Sequence, residues 1–276
     1  MCSSDLSYEL LKILLPDSAH LQLADLERAQ RKAKLGKWRG DMPMTLYSRQ
    51  EVETALMQFE PLDYGQKVEL APGIFLEFRN AGHILGSAIA VIDVHEDQDQ
   101  KKRLVFSGDI GMKGKVLMPD PEIIEKSDVL VVESTYGDRL HRNLSDTEDE
   151  LVEVIQSTMR AQGNVIIPSF AVGHTQEILF VLIDLVRRKR LPHLSIWVDS
   201  PMAKAATELT ERFFSQLDKQ TQETYRWYKD HPSSLDLRFI ADVEESKALN
   251  KIKGGAIIIS ASGRSEEHTS ELQSHH

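Results

Sequence analysis

Across residues 145–260 the chain alternates short β-rich apolar runs with amphipathic runs of helix length, and this alternation restricts its fold more than any other feature. Strands separated by helices cannot pair as hairpins. Each crossover returns the chain to the same sheet in the same direction, so this half predicts βαβ units on a mostly parallel sheet flanked by helices. The spacing gives a helix over 147–162, opened by Ser145 and Glu148 at capping-box separation and closed at Gly163. A strand over 164–167, a helix over 175–189, a strand over 194–198 and a helical stretch around 203–214 follow. A long helical or irregular region then leads to a last strand over 256–260.

The first half reads differently. Residues 8–39 have helical spacing, with Leu10, Leu11, Leu14 and Leu15 on one stripe, and Pro16 is expected to interrupt it before a second amphipathic run. The end of that run is basic, with Arg28, Arg31, Lys32, Lys34, Lys37 and Arg39 around Trp38. A solvated helix face is the simpler reading and an RNA-backbone patch the sharper one. After a short helix over 51–59 the period drops to two, giving strands over 66–70, 74–78, 88–94 and 104–107. The charged stretch 95–103 is expected as an exposed hairpin connection. Residues 129–132 form a continuous apolar strand of the kind buried on both faces.

Composition enters by exclusion. The 33 Lys and Arg against 43 Asp and Glu leave a formal charge of −10, which argues against a surface coated for non-specific nucleic-acid binding but not against a local site. No apolar run approaches the roughly 18 residues that span a bilayer. A lone Cys2 excludes a disulfide scaffold. Both ends look foreign. Arg264 to Ser274 resemble the translation of a common sequencing adapter, and Cys2 to Leu6 match the opposite strand of its beginning. The expected organisation is therefore adapter-derived residues at 1–6 and 264–276, one domain at 7–135 and a second at 136–263, cut at both ends.

Three polar clusters each follow an expected strand, where α/β sheets present their sites. In Gly82-His83-Ile84-Leu85-Gly86 an imidazole sits between glycines that permit a tight turn, and a satisfied loop histidine is the bland alternative. In Ser107-Gly108-Asp109-Ile110-Gly111 a carboxylate leaves an apolar strand, suited to a metal or equally to an Asx-turn. In Val132-Glu133-Ser134-Thr135 an acid leaves a strand, with a loop or cap role as the alternative.

In this order and with these neighbours, His83, Asp109 and Glu133 resemble the metallo-β-lactamase fold and its β-CASP branch of RNA- and DNA-processing nucleases. The stretch Pro168-Ser169-Phe170-Ala171-Val172-Gly173-His174-Thr175-Gln176-Glu177 is similar to the strand–loop–helix of the β-CASP insert, as are Val198-Asp199-Ser200-Pro201-Met202-Ala203 and Ser260-Ala261-Ser262-Gly263. The resemblance implies an α/β architecture of a partial metallo-β-lactamase half plus a β-CASP domain. It also implies a two-zinc phosphodiesterase acting on RNA or single-stranded DNA. His83 would ligate one zinc and Asp109 would bridge both. Glu133 would orient a histidine from later in the chain, and Ser169, His174 and Ser262 would face substrate. It further implies a cytoplasmic protein, with a homodimer open to the full-length parent.

The departures matter. The family's His-x-His-x-Asp-His is absent, and His174 stands where relatives usually carry Arg, making a phosphate contact there weaker. Only His83 and Asp109 of a larger ligand set remain, so the expectation is a zinc-dependent ribonuclease as the parent and a chain, as written, that binds zinc poorly and has little activity. A non-catalytic RNA-binding scaffold subunit and a small-molecule hydrolase of the same fold are the alternatives. Endo- against exonucleolytic action is not legible.

Overall fold

The computed structural model describes residues 5–95, 101–139, 144–240 and 242–261. They form two compact units, the first drawn from Met1–Ala81, Gly86–Asp109 and Glu122–Val131, the second from Gly82–Leu85, Ile110–Pro121 and Val132–His276. Each unit holds one sheet, and among the described residues no helix is long and apolar enough to cross a membrane.

The first unit opens with α1 (Asp5–Lys34), followed by α2 (Arg49–Leu56). Contrary to the expected break, α1 runs through Pro16. Leu6 and Leu10 before the proline and Ala19 and Ala29 after it are all buried, so packing on both sides outweighs the roughly 3 kcal/mol that an interior proline costs. The cations of its last turns, including Arg31, Lys32 and Lys34, are exposed.

The first sheet runs β1 (Lys67–Ala71), β2 (Ile74–Asn80), β3 (Ala88–His95), β4 (Lys101–Phe106) and β5 (Val129–Val131) in spatial order. The first four pair antiparallel, and β4 pairs parallel with β5. Of the stretch 95–103, expected as an exposed connection, residues 96–100 lie outside the described residues and the rest belong to β3 and β4. The ends of these two strands are joined, His95 lying opposite Lys101. The apolar run at β5 is not buried on both faces as its composition suggests. Val129, Leu130, Val131 and Val132 are about half exposed, because β5 is the edge strand of this sheet. An apolar run records what a strand could bury, whereas its neighbours decide what it does bury.

Strict alternation in β3 places Ile89, Val91 and Asp93 on the inner face, so a carboxylate continues an apolar row. Arg103, opposite it in register, donates from Nε at 2.7 Å, and Lys67 donates at 2.6 Å. Chiefly through the Arg103 hydrogen bond, the Asp93 carboxyl is lowered from 3.8 to about 2. The pair therefore stabilises the fold fully above the unfolded value, and that contribution fades as pH falls from about 4 towards 2. Arg103 and Lys67 are each 42 % exposed, so water screens the pair and the contribution is about 1 kcal/mol. Asp93→Asn should lower the urea-derived stability by that amount at pH 7. The gap from wild type should close between about pH 4 and 2, and a gap constant with pH would contradict the assignment.

The second unit contains α3 (Leu144–Arg160), β6 (Val165–Ser169), α4 (His174–Arg187), β7 (Leu194–Asp199), α5 (Pro201–Arg212), α6 (Lys219–Asp230), β8 (Leu235–Phe239), α7 (Val243–Leu249) and β9 (Ala256–Ala261). The sheet is parallel throughout in the order β6-β9-β7-β8. Pro168 sits in β6, an edge strand, where a missing backbone donor is tolerated. The core joins Ile155 of α3, Leu182 of α4, Ile196 of β7 and Ile257 and Ile259 of β9, all fully buried.

Three local expectations are corrected. Ser145 is not the cap of α3, which already includes Leu144, and Glu148 instead pairs with Arg188 at 2.8 Å. At the other end of α3 the left-handed residue is Gln162 (φ 56), with Gly163 N donating back to Thr158 O. Strand β8 lies inside the region read as helical or irregular. Its five residues LDLRF carry too short a pattern to stand out from their helical neighbours.

Candidate functional site

The three strand-end clusters fall where the patterns put them: His83 after β2, Asp109 after β4 and Glu133 after β5. His83 is half-buried and Asp109 exposed. The His83 loop leaves β2 through Gly82 in the left-handed region (φ 63). Gly111 presses directly on it: a Cβ there would stand 1.8 Å from Gly82 O and 2.8 Å from His83 N. Lys115 Nζ donates to His83 O at 3.0 Å and pairs with Glu177 of α4 at 2.6 Å. Both ends of that pair are mostly shielded from water, so a cation fastens the His83 backbone to the first turn of α4.

Glu133 is committed locally. Its Oε1 accepts from Ile110 N at 2.7 Å and its Oε2 from the Thr135 hydroxyl at 2.7 Å. The Thr135 hydroxyl first, then the Ile110 N–H, hold this carboxyl below the usual range, and His83 adds a favourable electrostatic contribution. Glu133 thus keeps the segment that follows Asp109 in place and lies within electrostatic reach of His83.

The loop after β6 is bound internally. Ser169 is buried, and its hydroxyl donates to Phe170 O at 3.3 Å. The Thr175 hydroxyl donates to the same carbonyl at 2.8 Å and lies 3.2 Å from Ser169 Oγ. His174, the first residue of α4, is exposed with its ring 5.2 Å from that of Phe170. Gln176, buried, accepts from Gly173 N at 2.8 Å and donates to Thr207 Oγ1 at 2.9 Å, with Ala171 O and Ala203 O at 3.2 and 3.3 Å. It ties the loop to α5, whose own start is capped by Ser200. Ala261 lies opposite Ser169 in register, and Ser262 falls outside the described residues.

Sequence reasoning named His83, Asp109, Glu133, Ser169 and His174 but assigned no role to Lys115, Thr135 or Gln176. For Gln176 its place three residues after Gly173, at capping-box spacing, was the available signal. Lys115 and Thr135 carried none.

The donors present do not by themselves fit a zinc pair. Among the described residues no three His, Cys, Asp or Glu converge on one point that could hold a metal ion.

Residues 175–272 match the Beta-Casp domain model. The match falls on the parallel-sheet half, so this chain carries a Beta-Casp domain within a mixed α/β fold. It is 36 % identical over 222 residues to Ribonuclease TTHA0252 of Thermus thermophilus, covering 80 % of this chain and 50 % of that protein. It is 34 % identical over 172 residues to an RNase J-like protein of Methanocaldococcus jannaschii, covering 61 % of this chain and 40 % of the relative. Over 177 residues it is 33 % identical to transcription termination factor FttA of Methanothermobacter thermautotrophicus, covering 63 % and 27 %. The chain spans about half or less of the length of these relatives.

Proposed function

We propose that the chain is part of a ribonuclease that hydrolyses RNA phosphodiester bonds, with its domains divided at 7–135 and 136–263. The observation that carries this reading is the match to a named ribonuclease over 222 residues, too long a stretch to lie in either half alone. Asp109 and Glu133 are its catalytic candidates and His83 and Asp109 its metal candidates. Ser169, His174 and Ser262 stand on the substrate side, in loops that follow parallel strands. RNA, or single-stranded DNA, is the substrate class, a cytoplasmic location goes with it, and a homodimer belongs to the full-length parent.

Zinc in that parent would supply a nucleophilic hydroxide at neutral pH. The described residues leave its ligand set incomplete. What these residues do is positional: Lys115 holds the His83 backbone, and Glu133 holds the segment after Asp109.

The test has two parts. The purified 276-residue chain with zinc and end-labelled RNA is expected to bind RNA without cleaving it above the protein-free control. Zinc-dependent cleavage that Asp109→Asn abolishes would overturn the inactivity. The full-length parent is expected to cleave RNA and to lose that activity with Asp109→Asn. A parent that binds RNA and leaves it intact would favour the non-catalytic scaffold instead.

A further inference from the structure

We propose that Phe170, with His174 beside it, is a base-stacking platform for single-stranded RNA. This rests on the RNA reading above and adds how the strand is held.

Phe170 follows β6 directly, at the carboxyl end of a parallel sheet, where α/β folds present ligands. The residue is 59 % exposed, which forgoes the burial a phenyl ring would gain in a core. Yet its backbone is among the most firmly held in the loop. The Phe170 carbonyl receives the Thr175 N–H at 3.1 Å, the Thr175 hydroxyl at 2.8 Å and the Ser169 hydroxyl at 3.3 Å. Gln176 anchors the rest of the loop from Gly173 to α5. An exposed aromatic on a mobile loop needs no explanation, but one on a loop fixed this heavily is pre-organised, which lowers the ordering cost of binding.

The partner ring narrows the ligand. His174 lies 5.2 Å from Phe170 with the ring planes at 43°, so two exposed π-systems share one spot rather than a broad apolar patch. A flat, heteroaromatic ligand suits this better than an aliphatic one. The spot lies at the N-terminus of α4, whose dipole favours a nearby negative charge such as a backbone phosphate. Flat ring and phosphate together describe a nucleotide. Stacking requires a splayed base, so the ligand is single-stranded, since the bases of a duplex are already stacked and paired.

Fluorescence anisotropy with a labelled single-stranded RNA and its duplex tests the platform on the full chain. Phe170→Ala is expected to weaken single-strand binding on the order of tenfold, with Phe170→Trp restoring it because any π-face serves. Duplex binding and the melting temperature should stay put, since the ring is exposed. The slope of log K against log salt should also be unchanged, because no phosphate contact is removed. Equal binding by wild type and Phe170→Ala overturns the platform and leaves the RNA reading standing, as does a loss that Phe170→Trp fails to restore. A wild-type chain that binds no single-stranded RNA overturns both.

Discussion

Replacing Gln176 with leucine is expected to lower stability by about 3 kcal/mol, among the largest effects open to a single side chain here. The substitution leaves the Gly173 N–H and the Ala171 carbonyl facing an apolar side chain in a site that is 1 % exposed, whereas the Ala203 carbonyl keeps the Thr207 hydroxyl. An unpartnered buried polar group costs roughly 1–3 kcal/mol, and the leucine recovers part of that by burial. Gln176→Glu separates hydrogen bonding from volume. At neutral pH it sets a carboxylate against two carbonyl oxygens, whereas protonation restores a donor, so its deficit should shrink on acidification. Urea midpoints of the three proteins at two pH values decide the matter, and a leucine variant within about 0.5 kcal/mol of wild type would refute the network.

Gly111→Ala should be comparably severe for a different reason. A Cβ 1.8 Å from Gly82 O and 2.2 Å from Gly82 C meets backbone and not a side chain that could swing away. The His83 loop must move, at about 2–4 kcal/mol if the displacement strains Gly82 and its neighbours. Equilibrium unfolding would measure the loss, and the His83 ring resonances in NMR would report the displacement. Unchanged resonances with unchanged stability would show that the two loops do not meet as described. A shift in the resonances with little loss of stability would mean that the loop yields cheaply, so that His83 rather than the fold bears the change.

Much of this architecture was legible because it follows from local periodicity. The period-two run over 88–94 predicted β3, and the parallel sheet followed from helix-length crossovers between β6, β7 and β9. Placing His83, Asp109 and Glu133 after strands required only the strand ends and the general habit of α/β sheets. What those residues do was less visible. The Ser169 hydroxyl serves the Phe170 carbonyl, and Glu133 divides its oxygens between Ile110 and Thr135. The resemblance implies that Glu133 orients a histidine and that Ser169 faces substrate, and these bonds fix where each side chain sits.

Two misreadings of local structure share a cause. Pro16 was expected to break α1 and Val129–Val132 to be covered on both faces, because local rules assign each segment its intrinsic preference. In the folded chain, packing on both sides of Pro16 overrode that preference, and the edge position of β5 left its apolar run open.

The amino-acid order thus determined which segments are strands and helices, which way the second sheet runs, and which polar residues stand at strand ends. These depend on neighbours within a few residues, where period and turn chemistry act. Only the tertiary structure decided which partners those residues have, because the deciding bonds join positions far apart in the chain. Lys115 reaches His83 and Glu177, Gln176 reaches Thr207, and Leu117 N–H donates to the Thr221 hydroxyl at 3.0 Å across 104 positions. No local pattern encodes such a meeting, since it arises only when the two segments are packed together.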